Sequence, residues 1–327
     1  MEHPEEVKMG NQTIVTSFVL LGFSHLANLQ LLLFVLILLM FLVTLTGNCL
    51  IVVISAIDPA LHTPMYYFLK NLALIEIFYS LCIVPNVLVS LLVERRVTSF
   101  TACSLQLNVI MLFVTSESFL LAAMAYDRHV AICHPLQYTT IMNRRHCFWM
   151  VIGSWISGIP VMVGFTAWLF SLPFCGPNEI NHFFCDIPPV LKLVCADTSL
   201  FELLIFIVIV LIVMIPFSLI TVSYLRIIHA ILHMQSAEGR RKAFSTCAAH
   251  LVVVTLFYST AGIVHLRPKS NLSPDSKKLV TLSYTVVTPM LNPIIYSLRN
   301  KEVKEGLRKS FCRRGFTERP SVSPLDG

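Results

Sequence analysis

Seven long apolar runs, each interrupted by few charges, decide what this chain can fold into. They cover residues 29–57, 66–93, 103–132, 147–172, 200–228, 241–266 and 279–298. Each is long enough to cross roughly 30 Å of hydrocarbon as a helix, which takes about 20 residues. A barrel is excluded, because the runs are continuous and far exceed the roughly 10 residues of a spanning strand. Composition agrees: 13% of the residues are charged, against about 25% in soluble domains. The reading is all-α, a bundle of seven membrane-spanning helices. Pro85, Pro160, Pro216, Pro289 and Pro293 fall inside the runs, where neighbouring helices re-satisfy the backbone groups that a kink releases.

Lys and Arg give the orientation. With the N-terminus and the even-numbered connections on one side, that side carries eight basic residues and the other fifteen. The richer side faces the cytosol, so the N-terminus lies outside. The net charge of +6 is then a topology signal, and nothing resembles a nucleic-acid-binding module. The chain divides into an extracellular segment 1–28, a transmembrane domain 29–298 and a cytoplasmic tail 299–327 whose residues 301–311 read as an amphipathic helix. Ahead of residue 29 the chain opens acidic (Glu2, Glu5, Glu6) and has only a short apolar patch, residues 18–23. No cleavable signal is expected, and the first helix serves as its own insertion signal. Asn11-Gln12-Thr13 is a glycosylation triplet on the outer side; a second triplet at Asn271 is weakened by Pro274. Cys103, Cys175, Cys185 and Cys195 also lie outside, and an even number there predicts two disulfides with three pairings open. Cys312, just past the basic segment, is a candidate for palmitoylation.

Charges within hydrocarbon cost about 2.5–3.5 kcal/mol each on insertion scales, so each needs a reason. Glu76 falls near the middle of the second helix and Glu117 in the middle of the third, with Asn48 and Asn292 at similar or slightly deeper levels in the first and seventh. The four are expected to converge on a polar cluster in which two carboxylates share a proton or a cation such as sodium. A structural hydrogen-bond network without a switching role is the plainer alternative. Asp127 and Arg128 end the third helix on the inner side. An Arg beside its own carboxylate can hold a locked pair and release it when helices move, or simply snorkel as an anchor.

These residues sit in a recognisable frame. Met124-Ala125-Tyr126-Asp127-Arg128-His129-Val130-Ala131-Ile132-Cys133 resembles the signature of olfactory receptors, within the rhodopsin-like G-protein-coupled class. Four further blocks agree in order: Gly47-Asn48, Pro64-Met65-Tyr66-Tyr67-Phe68-Leu69, the stretch from Lys242 to Leu251, and the stretch from Pro289 to Asn300. The long Cys-rich fourth connection is similar to the tetrapod, class II type. Departures are small: the family usually has Tyr at the place of His129 and often Asp at that of Glu76.

The resemblance implies a multi-pass plasma-membrane receptor, neither enzyme nor cofactor carrier. It would bind a small volatile organic ligand and activate the olfactory stimulatory G protein, raising cyclic AMP. It implies Cys103–Cys185 and Cys175–Cys195 as the disulfides. An inner switch of Asp127, Arg128, Tyr224, His250, Asn292, Pro293 and Tyr296 follows from it, as do coupling through residues 242–250 and help from trafficking proteins. Helical spacing then places Leu107, Ile110, Met111, Val114 and Thr115 on one arc of the third helix as the ligand wall. Val208 and Ile212 on the fifth helix, Tyr258, Ala261, Gly262 and His265 on the sixth, and Thr285 on the seventh complete it. Ordinary helix packing is the competing account of each. The outer half of the third helix has no acid and the interior of the seventh no Lys. An amine-pairing site and a retinal Schiff base are therefore not expected, and the ligand reads as neutral, largely apolar and bearing one oxygen function. The runner-up is a receptor for a non-odorant molecule outside the nose. A transporter or channel lacks support, with no polar ladder or inverted repeat, and a membrane enzyme lacks any nucleophile–base or metal-ligand motif.

Overall fold

The computed structural model of the chain describes residues 8–9, 12–13, 15–22, 29–175, 177–265, 278 and 281–299. Helix α1 (Gln30–Ile57) leads into α2 (Pro64–Leu92), α3 (Phe100–Cys133), the short α4 (Tyr138–Ile141) and α5 (Arg144–Ser171). There follow the short α6 (Ile187–Leu191), then α7 (Ser199–His233), α8 (Ala237–His265) and α9 (Thr288–Arg299), the last entered through a π-helical turn at Ser283–Val287. Six of these, α1, α2, α3, α5, α7 and α8, are long and apolar enough to cross a membrane, and α9 closes the bundle as the seventh.

Several helices, α3 and α7 at both ends and α2, α5 and α8 at their starts, overrun the apolar runs because backbone hydrogen bonding, unlike hydropathy, does not stop where polar residues begin. Local caps set several starts. Ser99 Oγ accepts the Ala102 amide at 3.1 Å ahead of α3, and Asn143 Oδ1 accepts the His146 amide at 2.9 Å ahead of α5, each satisfying a first-turn donor. Pro64 opens α2 at a position whose N–H would be unpaired anyway. Central α3 packs against α2, α5, α7 and α8, while α1 packs against α2 and α9. Gly47 permits the second contact: a Cβ there would lie 2.9 Å from Pro293 Cβ. Large apolar side chains such as Leu31, Leu211 and Leu219 remain exposed around the bundle, as they would against lipid.

On the outer side the chain builds a small sheet. Strands β1 (Lys8–Met9) and β2 (Gln12–Thr13) pair antiparallel, separately from the sheet that follows. Strand β3 (Ser17–Leu21) lies between β4 (Arg95–Ser99), antiparallel with Ser17 opposite Ser99, and β5 (Glu179–Ile180), parallel. The apolar patch ahead of the first helix is thus a strand with alternating burial, its Phe18 meeting Phe100, Phe170 and Phe174. Cys103 joins Cys185 and Cys175 joins Cys195, with Cα–Cα distances of 5.5 and 5.9 Å. This is one of the three open pairings and the one the resemblance implies. Asn11, Asn271, Cys312, residues 301–311 and the His265 side chain lie outside the described residues.

Candidate functional site

The outer tier is a roof over the bundle. Gln106 on α3 reaches both ways, its Nε2 donating to Cys82 O at 3.1 Å and its Oε1 accepting the Cys185 amide at 3.0 Å. Ser90 Oγ, at the end of α2, donates to Phe183 O at 3.4 Å. Lys278 is 2% exposed and its Nζ donates to Leu21 O and Gly22 O at 3.3 and 3.0 Å. His182 is buried against Phe183 and Phe184, ring centroids 4.4 and 4.5 Å away. Burial, with nearby Lys278, pushes its pKa down to about 4, and its Nδ1 lies 3.4 Å from the Phe184 amide as an acceptor. Asp186, which caps α6, is shifted the other way by burial, up to about 6.

Beneath the roof the expected ligand wall divides. Leu107 and Met111 pack into the outer cluster with Phe18, Ile180 and Phe201, whereas Ile110, Val114 and Tyr258 pack against the main bundle core. Thr115 and Thr285 are buried, and Thr285 Oγ1 bonds its own helix at Thr281 O, 2.9 Å away. Val208, Ile212, Ala261 and Gly262 are half-buried, and a Cβ on Gly262 would meet nothing within 4 Å. A residue absent from the sequence reading links three helices: Ser118 Oγ lies 3.1 Å from Ile212 O and 3.1 Å from Tyr258 Oη.

In the middle tier Asn292 Nδ2 donates to Glu76 Oε1, and Glu117, buried on the neighbouring α3, lies close enough to Glu76 for the two carboxyl groups to interact electrostatically. Asn48 Nδ2 donates to Thr44 O at 3.0 Å and Pro289 O at 3.5 Å. All four side chains are buried; the structure joins Asn292 to Glu76 directly, while Asn48 bonds the backbone of α1 and of α9 at Pro289. Two neighbouring buried carboxylates repel, so a proton or cation between them would lower that cost.

At the inner end Asp127 Oδ2 stands 3.9 Å from Arg128 Nε. The other oxygen, Oδ1, accepts from Tyr138 Oη at 2.8 Å, a partner in α4 that sequence reading did not find. Tyr224 Oη lies 2.6 Å from His250 Nδ1, with the rings stacked. Among the described residues, Arg128 Nε, Asp127 Oδ2 and Tyr296 Oη are buried without a hydrogen-bond partner. Each such group costs about 1–3 kcal/mol, so this arrangement leaves bonds to be gained elsewhere. His129 is buried with its ring 5.7 Å from that of His134.

A roofed outer half, a carboxylate-bearing middle and an arginine held at the inner end define a seven-helix membrane receptor. A family model described as olfactory receptor matches residues 37–314, and the chain belongs to that family. It is 56% identical to human olfactory receptor 10A7 over 304 residues, 93% of this chain and 96% of that one. It is 55% identical to human olfactory receptor 10A3 over 308 residues, 94% and 98% of the two chains, and 51% identical to human olfactory receptor 10C1 over 301, 92% and 96%. The protein is therefore an odorant receptor of the plasma membrane, multi-pass, in a receptor rather than an enzyme family, and its general partners are an odorant and a G protein.

Proposed function

We propose that the odorant is a small, neutral, mostly apolar molecule with one oxygen function, held in the outer half of the bundle beneath the roof. The observation that carries this is the Ser118–Tyr258–Ile212 junction, which forms the floor of that half beside the middle tier. It supplies hydroxyl groups among aliphatic side chains from α3, α7 and α8, the lining expected of a site that fixes one polar atom and buries the rest. Ile110, Val114, Thr115, Val208, Ala261, Gly262, His265 and Thr285 form the remaining wall in this reading, with Leu107 and Met111 supporting it from the roof side. An agonist acts only through tighter binding to the active arrangement. Moving a population from 1:99 to 99:1 takes about 5.5 kcal/mol of differential affinity, within reach of a small ligand only when it is well enclosed.

At the inner end, activation separates Arg128 from Asp127 and lets it meet Tyr224 and Tyr296, with His250, Asn292 and Pro293 completing the switch. The G protein is of the olfactory stimulatory type and the output is cyclic AMP, with residues 242–250 in the coupling surface. Glu76 and Glu117 hold a shared proton or sodium that leaves on activation, and accessory proteins assist delivery to the surface. A panel of neutral oxygenated odorants and charged amines, read by cyclic AMP in cells expressing the chain, tests the reading. Neutral compounds should supply the agonists; activation by charged amines alone would sink it.

A further inference from the structure

On the cytoplasmic side a cavity of about 930 Å³ lies between the α1–α2 turn and the α3–α5 connection. Lys70, Arg144 and Arg145 line it, and among the described residues no Asp or Glu does. Among the described residues the ion pairs are Arg95–Glu179 and Arg128–Asp127, so no carboxylate neutralises these three cations there. A cavity with clustered positive charge, at the level where a membrane meets water, calls for an anion.

The anion's source is indicated by what flanks the charges. Tyr67 and Phe148 also line the cavity and are 36% and 47% exposed. A soluble phosphate gains nothing from these rings, whereas a phospholipid covers them with its chains while its headgroup meets the basic side chains. Tyr138 is a further wall residue, and its hydroxyl is the one donated to Asp127 at 2.8 Å. The cavity and the carboxylate beside Arg128 thus share one side chain.

We propose that this cavity binds the headgroup of an anionic phospholipid of the inner leaflet. A seated headgroup holds α4 in place and, through Tyr138, steadies Asp127. The test uses the full chain in phosphatidylcholine nanodiscs titrated with phosphatidylinositol bisphosphate, the thermal unfolding midpoint reporting binding. The double variant Arg144→Gln/Arg145→Gln should weaken the apparent lipid affinity about 25-fold, and Lys70→Gln on the opposite wall about 5-fold. The charge-matched pair Arg240→Gln/Arg241→Gln, exposed at the start of α8, should change it less than about 3-fold. An equal loss in that matched pair would mean diffuse surface charge and overturn the site. Equal protection by the soluble, chain-free headgroup, glycerophosphoinositol bisphosphate, would mean a free-phosphate site. Undiminished lipid binding with weakened G-protein activation in the Arg144/Arg145 variant would assign the cations to a protein interface, and either result rejects the lipid.

Discussion

Tyr258 and Ser118 stand 140 residues apart in sequence and 3.1 Å apart in space. Losing one hydroxyl from a ligand contact costs about 0.5–1.5 kcal/mol. Tyr258→Phe should therefore raise the half-maximal agonist concentration about 3- to 10-fold for oxygen-bearing ligands, measured as cyclic AMP dose–response at matched surface expression. An unchanged response would remove Tyr258 from the site. At the roof, His182 supplies a pH signature. Its pKa in the folded protein, about 4, lies below the ordinary 6.5, so the stability it lends is full above pH 6.5 and lost as pH falls toward 4. Asp186, raised from 3.8 to about 6, runs oppositely: its cost is full above pH 6 and is relieved on acidification. The acid loss should therefore shrink in His182→Gln and deepen in Asp186→Asn, followed by thermal unfolding of the detergent-solubilised receptor against pH. Legibility at this scale depended on contrast. Glu76, Glu117, Asn48 and Asn292 stand out because polar groups in apolar runs are costly. Ser118, Gln106, Tyr138 and Lys278 do not, since a Ser in a helix or a Tyr in a loop is ordinary until its distant partner is known.

Whole elements follow a similar rule. Hydropathy located the spans, but their ends came from caps such as Ser99 and Asn143, which extend α3 and α5 beyond the apolar runs. Strand β3 was visible only as a short apolar patch, because its partners β4 and β5 come from connections far along the chain. Helices α4 and α6, four and five residues long, are too short to show a period. Gly47-Asn48 was visible only as one block of the resemblance; its packing reason is the approach of Pro293 to Gly47 across the α1–α9 contact. Gly47→Val should force the two helices apart and cost at least the 1–3 kcal/mol of an overpacked core. The expected readout is loss of surface receptor by flow cytometry, with Gly47→Ala retaining more; full surface expression of the Val variant would contradict the packing assigned here.

Across the whole molecule, the three tiers form one device: a roof tied by Cys103–Cys185, a buried carboxyl pair in the middle, and Arg128 at the inner end with bonds still to gain. The apolar spans and the buried Glu76–Asn292 pair could be read from the chain because the bilayer penalises every charge and every unpaired backbone group. The disulfide that ties the roof came from the resemblance, whereas the roof's sheet and the α4 latch could not be read, since they lie where water removes that penalty. The central claim is that ligand binding outside is converted to signalling through Arg128 inside. Its most direct test is agonist-stimulated cyclic AMP from Arg128→Ala against the parent receptor at equal surface expression. The account predicts a surface-resident variant whose response is abolished at every agonist concentration; a normal response from Arg128→Ala would contradict it.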